Sequence, residues 1–315
     1  MRRFLPKVLL FLSPVFGVFI LLEIFLRTMG TSYGIKNEQL IQNKNNVQLL
    51  ILGNSHATYG LDPAKFSLTA FNLAQVTQSL YYDRRITSRY LNEMKSLKYV
   101  LISIDFHSLY FSDEGYRNLW TYYGYGVDGD GRLPLLSKCS RAIGYQPKFT
   151  TEFIKRRFEG KYAGFGALDV ETGVDLGRPI SNGFFNYKNS TDLSPASLQK
   201  RAAEFNEMVR HKEERASVMQ DLEAFIVELQ ARGIAPILIT LPCYGPYRDL
   251  LDKDVQMQNS RDIQYLSGKY KIPYWDYFTL PVAAGLFFNC DHLNGKGAQY
   301  VSALVSGRVD SLRAR

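Results

Sequence analysis

The sequence predicts an α/β protein with a parallel sheet flanked by helices, preceded by an apolar N-terminal segment. Two patterns predict the sheet. Short continuous apolar runs mark strands covered on both faces, and helical stretches separate them. A third pattern, a long apolar run near the N-terminus, bears on where the domain lies. Composition agrees: 315 residues, 46% apolar and 14% aromatic, with only 12 prolines, can bury a substantial core. Fibres, disulfide miniproteins and mostly disordered chains are excluded.

Met1-Arg2-Arg3 and Lys7 precede the apolar run 8–26, which is interrupted only by Ser13, Pro14, Gly17 and Glu23. That run nearly spans a bilayer. A cleaved signal would have a shorter core and a small-x-small exit, whereas this run ends Leu26-Arg27-Thr28-Met29, so residues 1–30 are expected to be an uncleaved anchor. The basic residues ahead of it hold that end in the cytoplasm, which puts the rest of the chain outside the inner membrane. Glu23 is costly at the bilayer centre but tolerable near its boundary, where it could also meet a membrane partner. Residues 31–46 are polar and aperiodic and are expected to form a linker.

The domain is expected over 47–315. Its strands fall at 47–52, 70–73, 99–104, 236–241 and 272–277, with helical stretches at 80–94, 196–232 and 259–270. Between the third and fourth strands lies an insertion, about 106–195, rich in glycine and aromatics. Long insertions at strand ends often build a substrate site; alternatively these aromatics form a small satellite core.

The 38 Lys plus Arg against 30 Asp plus Glu leave a net charge of +8. This suits nucleic acid, lipid headgroups or charged envelope polymers as neighbours, or simply keeps the protein soluble. An extracytoplasmic location and the lack of a nucleic-acid motif argue against the first. Cys139, Cys243 and Cys290 form no C-x-x-C pair, so neither a zinc site nor a disulfide framework is indicated, and at most one bridge could form. No cofactor motif is present. No second His or Cys falls at ligand spacing from Asp291-His292, so no metal is expected unless folding gathers distant residues.

Four histidines, His56, His107, His211 and His292, supply the candidates for a general base. His211 lies in a charged helical stretch and is expected to be solvated. The first strand runs into Gly53-Asn54-Ser55-His56 and then a helix, which presents the Ser55 hydroxyl at the strand's C-terminal end, where open α/β sheets bind ligands. The Ser55 amide would sit at a helix start and could stabilise an oxyanion; a plain helix cap is the alternative. The second motif, Phe288-Asn289-Cys290-Asp291-His292-Leu293-Asn294-Gly295, follows the fifth strand and precedes the last helix. From there a His can reach across the strand ends to a Ser after the first strand.

Together the two motifs resemble the SGNH (GDSL-like) hydrolase superfamily, and more closely its membrane-anchored branch, typified by the D-alanyl transfer protein of teichoic acids and the alginate O-acetylation proteins. The resemblance covers about residue 47 to the C-terminus apart from much of the insertion, and implies a three-layer, flavodoxin-like sheet. Gly53-Asn54-Ser55-His56 looks like the first block, with Asn54 in place of Asp, and Asp291-His292-Leu293-Asn294 like the last. Segments 71–83 and 104–108 stand where the second and third blocks belong. The second-block Gly falls on Thr77 and the third-block Asn near His107, so the usual oxyanion donors are not plainly present; His107 or Gln78 could substitute, and a packed or surface side chain is the alternative for each. The orienting carboxylate, commonly three residues before the His, is here Asn289, while Asp291 carries the charge.

The resemblance implies a serine-dependent esterase or O-acyltransferase acting on acyl esters of an envelope polysaccharide or glycan, with Ser55 as nucleophile, His292 as base and Asp291 or Asn289 orienting it. It also implies a polytopic membrane acyltransferase as partner. The alternative is a catalytically degenerate scaffold that binds glycan or organises a membrane acylation complex.

Overall fold

The computed structural model describes residues 4–112, 114–131, 133–158, 168–169, 174–175, 181–186, 192–210 and 212–314. The chain begins with α1 (Phe4–Thr28), α2 (Ser32–Asn43), β1 (Leu49–Leu52), α3 (Ser55–Gly60), β2 (Ala70–Asn72), α4 (Leu80–Tyr90) and β3 (Tyr99–Ser103). The insertion holds α5 (Arg117–Tyr125), α6 (Leu135–Cys139), α7 (Arg141–Gly144), α8 (Pro147–Phe158) and the antiparallel pair β4 (Leu168–Asp169) and β5 (Val174–Asp175). Then come α9 (Pro195–Met208), α10 (Arg215–Ala231), β6 (Ala235–Thr240), α11 (Gly245–Arg248), α12 (Lys253–Tyr270), β7 (Tyr274–Asp276) and α13 (Gly295–Arg313).

The chain divides into two compact units, Met1–Ile35 with Gly115–Pro179, and Lys36–Glu114 with Ile180–Arg315. The second unit carries a five-stranded parallel sheet in the order β2-β1-β3-β6-β7. Its strands are hydrophobic on both faces. Leu49, Ile51, Leu101, Ile237 and Ile239 join Val301, Val305 and Val309 of α13 in one buried cluster. The alternate residues Leu50, Leu52, Val100, Ile102 and Leu238 are equally buried, so helices cover the other face too. That gives three layers with flavodoxin-like strand order, and the chain reverses direction across the sheet between β1 and β3. A crevice outside the strand ends at this switch point is where such sheets take ligands.

Two sequence expectations change. Residues 31–46 do not form an extended linker: they hold α2, in which Lys36 and Leu40 are fully buried. A helix that buries a lysine has no apolar stripe to reveal it; the Lys36 ammonium instead bonds to the Ala74 carbonyl and sits 4.6 Å from the Phe185 ring centre. The expected helix over 196–232 is two helices, α9 and α10. The α9 end is closed by Val209 N–H bonding to Phe205 O, and α10 starts only at Arg215.

In the first unit Trp120, Tyr125, Tyr145, Phe149 and Phe153 are buried together, with Trp120 and Phe149 rings 5.2 Å apart and Tyr145 and Phe153 5.6 Å apart. These five insertion aromatics form a satellite core. Within α1, Leu10–Thr28 is 19 residues of mean hydropathy 2.0, long and apolar enough to cross a membrane; a signal sequence meets the same criteria.

Candidate active site

The site begins where β1 ends. Gly53 has φ +130°, and a Cβ there would lie 2.6 Å from Ser103 Cβ at the end of β3, so only glycine lets these strand ends approach. Asn54 then caps α3, its Oδ1 accepting the His56 N–H at 3.0 Å. Ser55 follows as the first residue of α3, where backbone N–H groups have no intrahelical partner. Its side chain is nearly buried at the switch point.

The opposing loop is shaped by Asn289. Its Oδ1 accepts the N–H groups of Asp291 (3.2 Å) and His292 (2.8 Å), folding the loop back, and Asn294 caps α13 through Lys296 and Gly297 N–H. Gly297 is required here, since a Cβ would meet Leu286 O at 2.1 Å. The His292 ring is stacked on Phe288 at 5.2 Å and meets Tyr59 edge-on at 5.3 Å.

His292 Nε2 lies 2.7 Å from Ser55 Oγ. On its other side, Nδ1 lies 3.1 Å from Asn289 Oδ1 and 3.2 Å from Asp291 Oδ1. Two acceptor oxygens at Nδ1 assign the proton to that nitrogen, so Nε2 is the acceptor and the Ser55 hydroxyl donates to it. Asn289 and Asp291, alternatives in the sequence, both face the ring. The carboxamide holds the loop and shares the Nδ1 proton, and the carboxylate adds charge.

Asp291 is fully enclosed and would be costly without partners. Arg201 of α9 meets its Oδ2 with Nε and Nη2, both at 3.0 Å, leaving Oδ1 for His292. Burial alone would raise the Asp291 carboxyl, but His292, Arg201 and His56 outweigh it and hold it far below the usual carboxylate range. Behind it stands a second pair. His56 Nδ1 is 3.5 Å from Asp105 Oδ1, His56 Nε2 is 4.0 Å from Asp291 Oδ2, and the His56 and His292 ring centres are 5.0 Å apart. Desolvation pushes the His56 pKa down and the Asp105 pKa up, each toward its neutral form. His56 and Asp105 also line a small cleft with Phe106, Leu241, Cys243 and Tyr247.

Gln78 and His107, weighed as oxyanion donors or as packed side chains, take packed positions with other partners. Gln78 Nε2 bonds to Asp83 Oδ1 (2.6 Å) and Leu73 O (3.3 Å), because Asp83 is needed to accept the Gly53 N–H at 3.1 Å. His107 packs against Phe205 and Phe111, with Nε2 3.3 Å from Asn54 Nδ2, and burial drives its pKa well down. Thr77 keeps φ +59°, the left-handed conformation that a glycine takes freely and that costs a β-branched residue about 1–2 kcal/mol. His211 lies outside the described residues. Folding does gather a possible ligand set that spacing hid: His56, Asp291 and His292 offer ligand atoms within 4.8 Å of one another. Two of the three already bond to Arg201 and Ser55, and a guanidinium against the carboxylate opposes a cation there. Cys243 and Cys290 are buried free thiols and Cys139 is exposed.

Arg201 and the pairing of His56 with Asp105 were not foreseen from the sequence, although His56 itself was a candidate base. Arg201 stands 90 positions from Asp291 in a helix that shows only solubilising charge. The one available signal was His56 directly after the candidate nucleophile, on a helix too short to point it at solvent.

No protein-family model matches the sequence, and no curated protein matches it. The chain is similar to several solved structures. One, described as an acylhydrolase from Bacteroides fragilis, is 12% identical with a TM-score of 0.41, over 87% of this chain and 96% of that one. A GDSL-like lipase from Bacteroides thetaiotaomicron is 12% identical with a TM-score of 0.40, over 88% and 98%. A variant of a Geobacillus acetyl-xylooligosaccharide esterase is 11% identical with a TM-score of 0.31, over 83% and 93%.

Proposed function

We propose that this chain is a serine-dependent esterase or O-acyltransferase of the SGNH type, in its membrane-anchored branch, acting on acyl esters of a cell-envelope polysaccharide or glycan outside the inner membrane. The carrying observation is the 2.7 Å contact from Ser55 Oγ to His292 Nε2, with Asp291 and Asn289 at Nδ1. Ser55 Oγ attacks the acyl carbonyl as its proton passes to His292 Nε2. The imidazolium returns that proton to the leaving alkoxide, and an acyl-Ser55 ester remains. Water, or a sugar hydroxyl, then attacks while His292 takes its proton, which releases the acid or the new ester and restores Ser55. Asp291 stabilises the imidazolium, and the Ser55 amide donates to the oxyanion, a role its position as the first residue of α3 supports.

The anchor reading rests on the apolar helix α1 and the basic residues before it. A polytopic membrane acyltransferase as acyl donor remains part of the proposal. The test offers an acetylated oligosaccharide with and without an unacetylated sugar acceptor to the detergent-solubilised full chain, following acetate and acetyl-acceptor by mass. Release or transfer that is lost in Ser55→Ala supports the reading. Equal turnover by Ser55→Ala contradicts it.

A further inference from the structure

Glu23 stands five residues before the end of the apolar stretch, a position that is expensive for an ion in lipid. Its partners come from the insertion, within the same unit. Glu23 Oε1 accepts the Arg141 N–H at 3.1 Å and Arg27 Nε at 2.6 Å; Oε2 accepts the Ala142 N–H at 2.9 Å and the Ser140 hydroxyl at 2.8 Å. Arg27 Nη2 donates to Cys139 O at 2.7 Å, and Arg141 Nη1 donates to Leu26 O at 3.1 Å. The α6–α7 hairpin is thus fastened to α1 along Glu23–Arg27.

This attachment fixes a level. At about 1.5 Å per residue, Glu23 lies roughly 7 Å before Thr28 along α1. If α1 spans a bilayer, the hairpin bound at Glu23 lies at the boundary between acyl chains and headgroups. Its surface suits that layer: Leu135, Leu136 and Ile143 are 70%, 68% and 49% exposed, while Lys138 and Arg141 lie beside them.

We propose that α6–α7 is a membrane-interface element, seated in the leaflet from which α1 emerges, with Leu135, Leu136 and Ile143 in the acyl boundary of a phospholipid bilayer. This rests on α1 being an anchor. Glu23 is then the latch of the hairpin, its charge met by Arg27, the Arg141 and Ala142 N–H groups and the Ser140 hydroxyl, and the insertion serves to hold the protein against the membrane.

The test uses the full chain reconstituted in phosphatidylcholine–phosphatidylglycerol vesicles. The exposed Cys139, between α6 and α7, carries an NBD fluorophore, and lipids bearing a doxyl group at the fifth acyl carbon act as quencher. A control chain, Cys139→Ser with Tyr265→Cys, carries the label on an exposed position of α12. The expected result is quenching at Cys139 several-fold above the control, reduced to the control level by Leu135→Asp with Leu136→Asp while the chain still floats with the vesicles. Quenching at Cys139 no greater than the control in floating chain overturns the proposal alone. Chain that does not float overturns the anchor reading and the proposal with it.

Discussion

Two histidine–aspartate pairs stand side by side in the second unit, and they differ in what the imidazole reaches. His292 spans from the carboxylate of its neighbour Asp291 to the Ser55 hydroxyl, 2.7 Å away. His56 spans from Asp105, at 3.5 Å, to the far oxygen of Asp291, at 4.0 Å, and among the described residues it bonds to no hydroxyl. Carboxylate pairing alone therefore does not mark a candidate base; reach to the candidate nucleophile does. Asp291 belongs to both arrangements, and Arg201 divides its oxygens so that one is kept for His292.

The comparison is broken most directly by exchanging which histidine is lost. His292→Ala and Ser55→Ala should each lower ester turnover by about 10⁶-fold, the loss typical of removing one member of such a unit. His56→Gln should cost about tenfold or less, about 1.4 kcal/mol of barrier. Equal losses for the two histidines, measured as kcat on one acetyl ester, would erase the distinction.

Asp291→Asn should come next, at up to roughly 10⁴-fold in kcat, because the ring loses the charge that stabilises its imidazolium. Asn289→Ala should show mainly in stability, by about 1–3 kcal/mol in denaturant unfolding, since two loop N–H groups lose their acceptor. An equal loss of kcat in Asn289→Ala would mean that the carboxamide supports the imidazole as much as the carboxylate does.

Arg201→Gln removes one of the cations that hold Asp291 ionised. The fall of kcat/KM on the acid side should then begin at a higher pH, and Arg201→Lys should restore part of the difference. A purely structural role for Arg201 would lower the whole profile without moving it.

The smallest effect on rate is expected from Asp83, which sharpens the contrast between buried carboxylates. Asp291 is stabilised as an anion, whereas burial pushes the Asp83 pKa up to about 7 despite Gln78 and the Gly53 N–H. Folded Asp83 holds its proton more tightly than the unfolded chain does. Between about pH 4 and about pH 7 its contribution should therefore lower stability as pH rises, by at most about 1.4 kcal/mol per unit. Asp83→Asn should flatten that dependence in chemical denaturation; an unchanged slope would show that Asp83 is ionised throughout. Asp291 has the opposite sign, its contribution being lost as pH falls below the ordinary carboxylate range.

Much of this arrangement was legible because it is local. Apolar runs marked the strands, and Gly53-Asn54-Ser55 and Asp291-His292 announce themselves at strand ends. The choice between Asn289 and Asp291 could not be made from spacing, since a loop bent by Asn289 itself brings both oxygens to one nitrogen. Helix α2 was hidden because its buried face includes Lys36. Arg201 and the His56–Asp105 pair were hidden because each joins segments far apart in sequence. Between the two roles left open for Gln78, oxyanion donor or packed side chain, its bond to Asp83 favours the second, and that bond is visible only in the folded chain.

The central claim is that His292, and not His56, activates Ser55. The most direct measurement is the intact mass of the detergent-solubilised full chain after reaction with a fluorophosphonate. The account predicts one adduct per chain, mapped to Ser55, absent from Ser55→Ala and His292→Ala and retained in His56→Gln. An adduct that survives in Ser55→Ala, or a folded chain that takes up no reagent, would contradict it.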